Sequence, residues 1–228
     1  MGLTIDVARA ASEMDAWPAD RILAWAAGSG RAAFSTGLGA EGCALIHLIA
    51  AARLPVDVFT LDTGVLFPET YTLWQRLEAR YGITIRGVVP KETIEQQAVS
   101  FGPALWTRDP NRCCALRKLA PLAEELKGAD LWITAIRRDQ TADRASARVV
   151  EPDNRYGLLK VNPLVRWTSN DVWRFIHDHD VPYNPLHDQG YPSIGCQPCT
   201  TQVAEGEDPR AGRWRGQEKN ECGLHVKP

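Results

Sequence analysis

The chain contains 228 residues and carries a formal net charge of −2. It is long enough to bury one sizeable α/β core, and its charge offers no electrostatic argument for binding nucleic acid. No apolar run approaches the length of a membrane span, and the N-terminus lacks the basic and apolar regions of a signal peptide. We therefore expect a cytoplasmic protein, in which clustered cysteines more often bind metal or carry out chemistry than form disulfides.

The first third of the chain suggests a phosphate-binding turn. Helices are expected over residues 1–30, a buried strand over 32–35, a glycine-rich turn over 36–42 and an apolar helix over 43–52. A strand, a glycine-rich turn and a helix in this order present free backbone N–H groups to a phosphate. The turn matches neither standard phosphate-binding fingerprint, so an ordinary tight connection is the alternative interpretation.

Strands and helices alternate along the rest of the chain. Further strands are predicted over 56–61, 83–88, 130–136 and 158–163, and further helices over 66–81, 93–99, 110–126 and 168–179. This alternation predicts a doubly wound, mostly parallel sheet with helices on both faces.

Two polar segments follow strands of this sheet. Asp62 ends the second strand, and a carboxylate at that position lies on the ligand-binding edge of a doubly wound sheet. Its alternative role is to cap the turn that follows. At the same edge, the loop after the fourth strand contains Arg137, Arg138 and Arg144, a candidate anion clamp because guanidinium binds phosphate and sulfate oxygens in bidentate fashion.

Cys113 and Cys114 are adjacent in the first turns of the helix predicted over 110–126, where the helix dipole favours thiolates. Helical spacing places Arg117 on the face of Cys113 and Lys118 on the face of Cys114. These cations would stabilise an anionic cluster or bind an anionic substrate. The alternative is that both are solvated surface charges.

A second pair, Cys196 and Cys199, lies on a proline-rich turn, and a lone Cys222 follows it. Four cysteines in two pairs can bind one soft metal centre, either zinc or iron–sulfur. Neighbouring side chains on a helix diverge by roughly 100°, which favours a bulky cluster over a single zinc ion. Because the end of the chain has too few apolar residues for a core, we predict a nucleotide-binding domain over 1–200 and a flexible tail over 201–228.

Two further side chains are assigned ordinary roles. Cys43 lies early in an apolar helix and is expected to be a small buried hydrophobe. His225, three residues after Cys222, is expected to be solvated rather than to lower the pKa of that thiol.

The combination of cysteine motifs closely resembles the assimilatory adenosine-5′-phosphosulfate (APS) reductases, the iron–sulfur branch of the APS/PAPS reductase family. The resemblance extends over residues 34–225. The motifs that carry it are Cys113-Cys114, Cys196-Gln197-Pro198-Cys199, Glu221-Cys222-Gly223-Leu224-His225, Phe34-Ser35 with Gly39-Ala40-Glu41, Leu61-Asp62-Thr63-Gly64, Phe67-Pro68-Glu69-Thr70-Tyr71, and Arg137-Arg138-Asp139-Gln140 with Arg144. One departure is Gly42, which stands where the family commonly has Asp.

The resemblance implies an adenine nucleotide alpha-hydrolase-like α/β fold with a modified pyrophosphate loop. It also implies thioredoxin-dependent reduction of APS to sulfite and AMP, in sulfate assimilation and cysteine biosynthesis. The Cys222 thiolate would attack the sulfonyl sulfur, and a separate thioredoxin or glutaredoxin would release sulfite from the cysteine S-sulfonate. Relatives commonly self-associate, so a homo-oligomer is implied as well.

The same resemblance assigns roles to individual residues. The catalytic set is Cys222, Lys118, Arg210 and Arg213. The substrate-binding set is Ser35, Gly39, Ala40, Glu41, Asp62, Thr63, Gly64, Arg137, Arg138 and Arg144. A 4Fe-4S cluster with an electrostatic and structural role would be bound by Cys113, Cys114, Cys196 and Cys199.

Other functions compete with this interpretation. A PAPS reductase, or an enzyme that accepts both nucleotides, would need a basic pocket for the 3′-phosphate. A pyrophosphate-loop ATPase would carry a fuller Ser-Gly-Gly-x-Asp-Ser loop, which is absent from this sequence. A binding module with structural zinc predicts an unreactive tail, and a cluster-based redox sensor would need a DNA-binding element that the sequence does not display.

Overall fold

The structure is a computed structural model that describes residues 6–219 and 221–225. Residues 1–5, at the start of the N-terminal segment that lacks signal-peptide features, lie outside the described residues. So do Asn220, which precedes the tail motif, and the last three residues of the predicted tail.

Six strands form one sheet. They are β1 (Ala32–Thr36), β2 (Val56–Leu61), β3 (Arg86–Val88), β4 (Leu131–Ile133), β5 (Val150–Asp153) and β6 (Leu158–Val161). Their order is β3-β2-β1-β4-β6-β5, and every neighbouring pair is parallel except β5 with β6. The doubly wound, mostly parallel sheet is therefore confirmed. The sequence pattern does not predict β5, because Pro152 has no N–H to donate and argues against a strand. Proline is tolerated in a sheet at an edge position, and β5 is an edge strand.

Nine α-helices are found within the described residues. They are α1 (Val7–Met14), α2 (Ala19–Gly28), α3 (Ala40–Ala51), α4 (Pro68–Tyr81), α5 (Ile94–Phe101), α6 (Leu105–Arg108), α7 (Pro110–Cys114), α8 (Ala120–Leu126) and α9 (Ser169–Asp178). None of them is both long and apolar enough to cross a membrane.

The core lies on both faces of the sheet. Successive residues of β1 point to opposite sides, so Phe34 joins the larger apolar cluster and Ala33 joins the smaller one. The larger cluster contains the buried sides of α2, α3 and α9, whereas the smaller one contains Phe59, Trp132 and residues of α8. Helix α3 is apolar almost all round because it is buried almost all round, and its Cys43 is fully buried, as expected.

The helix predicted over 110–126 is interrupted by a π-helical turn, Ala115–Leu119, between α7 and α8. Its wider winding is visible in the Ala120 amide, which donates to the Ala115 carbonyl. Pro121 provides the reason. Proline lacks the N–H that would bond to residue 117, and its ring crowds that carbonyl, so a wider turn relieves the conflict. This turn contains Arg117 and Lys118.

Candidate functional site

The two cysteine pairs meet in one cavity. Asp109 caps α7 by accepting from the Arg112 amide at 2.9 Å, and the capped turn presents Cys113 and Cys114. The turn with Cys196 and Cys199 is held opposite, because the Gln197 amide donates to the Val65 carbonyl at 2.8 Å. All four cysteines line the cavity, and all but Cys199 are buried.

The four thiols share this cavity without closing on a single point. Within residues 6–219 and 221–225, no three His, Cys, Asp or Glu side chains converge as they would to hold one metal ion. A zinc ion needs four ligands within about 2.3 Å of one centre. Four thiols that line one cavity are a donor set of the kind that holds an iron–sulfur cluster.

Lys118 and Arg117 are not solvated surface charges. The guanidinium of Arg117 is buried and donates to the carbonyl oxygens of Thr63 and Glu92 and to the Gln97 amide oxygen. Lys118 is half-buried and also lines the cavity. The interpretation of both as solvated is therefore wrong.

Lys118 interacts electrostatically with cysteines of the cavity and with Cys222 of the tail. Burial alone would lower the pKa of its ammonium, but the sulfurs of Cys196, Cys222 and Cys114 raise that pKa above the ordinary value. Burial alone would raise the pKa of the Cys196 thiol. Lys118, together with the Thr63 hydroxyl and Arg213, outweighs burial and holds that pKa below its usual value. Lys118 is therefore within electrostatic range of Cys196, Cys114 and the tail residue Cys222.

The glycine-rich turn ends at Gly39, which precedes the N-terminus of α3. Ala40 and Glu41 stand in the first helical turn, where backbone N–H groups are free to bind an anion. The Ser35 hydroxyl accepts from the Trp132 indole N–H at 2.7 Å, which leaves its own proton free to donate elsewhere.

Gly42 is explained by its neighbour. A Cβ atom at position 42 would collide with the Thr36 hydroxyl oxygen, which accepts from the Leu38 amide at 3.0 Å. The hydroxyl thus shapes the turn and occupies the space that an Asp side chain would need.

The second strand ends as the sequence predicts. One oxygen of Asp62 accepts from the Gly64 amide at 2.9 Å and from the Tyr71 hydroxyl at 2.7 Å, so its alternative role as a turn cap is real. The Thr63 hydroxyl lies 3.2 Å from the Cys196 sulfur. This loop therefore joins the edge of the sheet to the cysteine cavity.

The arginine loop is tied to the glycine-rich turn. Arg137 has only 8% of its side chain exposed; it pairs with Glu41 and with Asp139, the latter at 2.8 Å. Gln140 also donates to Glu41, at 2.9 Å. Arg138 has different partners, Asp15 at 3.1 Å and the Ala147 carbonyl at 2.8 Å.

Arg144 and the tail arginines come together. Arg144 pairs with the buried carboxylate of Glu221 at 2.9 Å, and Arg210 pairs with the same carboxylate at 3.3 Å. Arg213 lies with its guanidinium 4.5 Å from the centre of the Trp214 ring and donates to the Ser193 hydroxyl at 3.3 Å. Arg144 and Arg210 are thus found beside Glu221, the neighbour of Cys222, and Arg213 is found beside Trp214, which lines the cysteine cavity.

The sequence pattern assigns no role to Glu221 and Trp132. Glu221 belongs to the tail motif, and its proximity to Cys222 is the signal that points to it. From the sequence, Trp132 is predicted only to be part of a buried strand. His225 is not solvated as expected, because its ring stacks on Trp132 with a centroid distance of 5.4 Å and an interplanar angle of 17°.

Comparisons with known proteins agree with this arrangement. Residues 31–202 match the family described as the phosphoadenosine phosphosulfate reductase domain. The adenosine 5′-phosphosulfate reductase of Oceanobacillus iheyensis is 46% identical over 194 residues, which are 85% of this chain and 81% of that protein. The enzyme of the same name from Halalkalibacterium halodurans is 48% identical over 193 residues, 84% of each chain.

A solved structure has the same fold. The crystal structure of phosphoadenylyl-sulfate (PAPS) reductase from Candida auris, a phosphate complex, matches with a TM-score of 0.78 and 27% identity. The match covers 89% of this chain and 100% of that one. The six-stranded sheet is therefore the adenine nucleotide alpha-hydrolase-like fold that the resemblance implies.

Proposed function

This chain belongs to the phosphoadenosine phosphosulfate reductase domain family, and on that premise we propose that it reduces APS to sulfite and AMP. The electrons come from a thioredoxin or a glutaredoxin, and the pathway is sulfate assimilation towards cysteine. The observation that carries the proposal is that Lys118 lines the cavity of the four clustered cysteines, while Arg144 and Arg210 both pair with Glu221, the residue before Cys222.

In the first step, the Cys222 thiolate attacks the sulfonyl sulfur of APS. A sulfur–sulfur bond forms, the bond from sulfur to the phosphate oxygen breaks, and AMP leaves with the electron pair. The products are AMP and a cysteine S-sulfonate on Cys222. Because AMP is a stable anion, this step needs charge neutralisation more than it needs a proton donor.

Neutralisation comes from cations around the tail thiol. APS carries several negative charges, and a thiolate that approaches it adds another. Lys118, Arg144, Arg210 and Arg213 offset this repulsion most strongly in the transition state, where the charges are closest. The ion pairs of both Arg144 and Arg210 with Glu221, and the electrostatic influence of Cys222 on Lys118, support this role.

In the second step, a thiolate of the reduced thioredoxin or glutaredoxin attacks the sulfur of Cys222. Sulfite leaves, and the second thiol of the reductant resolves the mixed disulfide. The reductant supplies the two electrons that convert sulfate-level sulfur to sulfite. The tail must expose Cys222 for this step, so we propose that residues 201–228 open and close around the site.

The nucleotide is proposed to bind along the carboxyl ends of the strands. Ser35, Gly39, Ala40 and Glu41 surround the start of α3, whose free N–H groups suit the phosphate. Asp62, Thr63 and Gly64 follow β2 at the same edge. Arg137 and Arg138 complete this set with Arg144. Each of the three guanidinium groups now pairs with a carboxylate, and an anionic ligand would bind to the same guanidinium groups.

The donor set of four buried or half-buried thiols fits a 4Fe-4S cluster, held by Cys113, Cys114, Cys196 and Cys199. When bound, the cluster supplies an anionic centre that orders the cavity and influences the electrostatics of Lys118. The residues of the chain carry out both steps of sulfur transfer.

PAPS is the second candidate substrate, alone or together with APS. The likeness to the Candida auris structure favours it, because that protein is a phosphoadenylyl-sulfate (PAPS) reductase. The curated relatives with 46% and 48% identity are named for APS, and the four cysteines mark the branch that the sequence resembles. APS is therefore the preferred substrate of the proposal.

The decisive experiment is the intact mass of anaerobically purified protein mixed with APS and no reductant, followed by peptide mapping. A sulfonate on the Cys222 peptide, removed by reduced thioredoxin, is expected, and Cys222→Ser should show none. An adduct that forms only with PAPS would mean that PAPS, and not APS, is the substrate. No adduct with either nucleotide in protein that retains its cluster would refute the covalent mechanism.

A further inference from the structure

The described end of the tail turns back onto the sheet. Gly223 has a φ of +86°, the left-handed backbone region that favours glycine. Its carbonyl oxygen accepts from the Arg155 guanidinium at 2.6 Å. Arg155 stands in the hairpin between β5 and β6, so the turn after Cys222 is fixed by an element outside the tail.

Leu224 then enters an apolar environment. It packs against the smaller core cluster, whose buried members include Leu122 and Trp132, and Tyr156 packs against the same cluster. This cluster lies on the face of the sheet that α8 covers. The tail therefore adds an apolar side chain to a cluster that is already part of the folded core, which favours a docked tail.

His225 completes the contact. Its ring stacks on Trp132, and the Tyr156 ring meets the same indole edge-on at a centroid distance of 5.5 Å. Burial, together with the nearby cations Arg144, Lys160, Arg155 and Arg210, holds the pKa of His225 well below its ordinary value. The ring is therefore neutral at neutral pH, so stacking it buries no charge.

We infer that Arg155, Tyr156 and Trp132 form a docking cradle for Gly223, Leu224 and His225, and that this cradle positions the Cys222 thiol. The backbone is then fixed on both sides of Cys222, because Glu221 is held by Arg144 and Arg210. A nucleophile fixed in this way reacts faster, since the freedom lost on reaching the reactive geometry has already been removed.

The cradle also contacts the proposed nucleotide loop. The N–H of Trp132 donates to the Ser35 hydroxyl, while its ring supports His225. One side chain therefore connects the end of β1, just before the glycine-rich turn, with the tail that carries Cys222. The catalytic consequence of docking rests on the proposed function, whereas docking itself does not.

The test measures tail docking and sulfur transfer separately in the full-length protein with its cluster. Docking is read as the rate at which iodoacetamide alkylates Cys222 at fixed pH, located by peptide mapping. His225→Ala removes an aromatic contact and Arg155→Met removes a charge-assisted hydrogen bond, so each should raise this rate roughly five- to tenfold. The rate of S-sulfonate formation from saturating APS should fall by a similar factor, with AMP affinity changed less than about twofold.

Matched controls are available on the exposed side of α9. His177→Ala and Arg174→Met remove the same side-chain types from exposed positions, and neither should change alkylation or sulfur transfer. Unchanged alkylation of Cys222 in both cradle variants, with their cluster absorbance intact, would overturn the inference. If alkylation rises as expected but the unaltered protein forms no S-sulfonate, the cradle stands and the proposed function fails.

Discussion

The carboxylate of Glu221 pairs with the guanidinium of Arg144 at 2.9 Å, and only 6% and 10% of these two side chains are exposed. Glu221 directly precedes Cys222. An ion pair this well buried is costly to break from one side, because the remaining charge has no water to solvate it. The pair therefore fixes the backbone beside the tail thiol for as long as the tail is docked.

Glu221→Gln should detach the tail rather than unfold the domain. The substitution leaves Arg144 and Arg210 facing each other without a carboxylate, and removing one partner of a buried pair costs about 3–5 kcal/mol. Undocking avoids that cost, so we expect S-sulfonate formation to slow by at least roughly tenfold while the thermal midpoint changes little. Glu218→Gln is the control, because Glu218 is exposed in the same segment. A normal rate in Glu221→Gln would contradict this role.

Lys118→Met should slow the proposed sulfur transfer without loss of the proposed cluster. Removing one group that stabilises developing charge costs about 10²–10³-fold in rate in well-studied sites, and we expect a loss at the lower end. Single-turnover formation of the S-sulfonate is the measurement, with cluster absorbance recorded on the same sample. Lys127→Met removes an exposed lysine that pairs only with Glu124 among its described contacts, and it should leave the rate unchanged. A Lys118→Met rate within twofold of the unaltered protein would disprove the electrostatic role.

Gly42→Ala should destabilise the fold through Thr36. The added methyl group collides with the Thr36 hydroxyl, and overpacking of this kind costs about 1–3 kcal/mol in the free energy of unfolding. In a Thr36→Ala background the collision disappears, so the two substitutions should be strongly non-additive in urea unfolding. Gly37→Ala has open space at its Cβ position and serves as the control. Equal costs of Gly42→Ala in both backgrounds would rule out this explanation of the glycine.

Cys43 should make the protein less stable at high pH. Burial raises the pKa of its thiol to about 12, above the ordinary value of 9.0. Its contribution to stability is therefore fully present below pH 9 and is lost as the pH rises towards 12. Urea unfolding at pH 8 and pH 10 should show a smaller alkaline loss for Cys43→Ala than for the unaltered protein. Parallel pH profiles for the two proteins would mean that the thiol does not contribute.

The parts of the site that sequence predicts are those encoded by neighbouring residues. Ser35 and Asp62 stand at the ends of strands that are recognisable from short apolar runs, and Gly39 stands in the turn after the first of them, so their common edge follows from the parallel topology. The meeting of the two cysteine pairs was predictable for a chemical reason, since four thiols in two pairs suit one soft metal centre. In each case a local pattern and a general rule of chain topology suffice.

The parts that sequence does not predict depend on contacts between distant segments. The burial of Glu221 depends on where the tail docks, and no periodicity in the tail encodes Arg144, which lies 77 positions earlier. The π-helical turn has a visible cause in Pro121, but the partners of its two cations, Thr63 for Arg117 and Cys196 for Lys118, come from distant segments. Arg138 looks equivalent to Arg137 in the sequence, but Arg137 pairs with Glu41 and Asp139, whereas Arg138 pairs with Asp15.

The two edge strands of the sheet limit how copies of this chain can associate. At one edge, β5 contains Pro152, which has no N–H to offer. At the other, β3 is three residues long, and its Arg86 is paired with Asp57 and Glu125. Short, charged or proline-bearing edges disfavour the addition of a strand from another molecule. A homo-oligomer of this protein would therefore be assembled through helix and loop surfaces. No strand of one subunit would pair with the sheet of another.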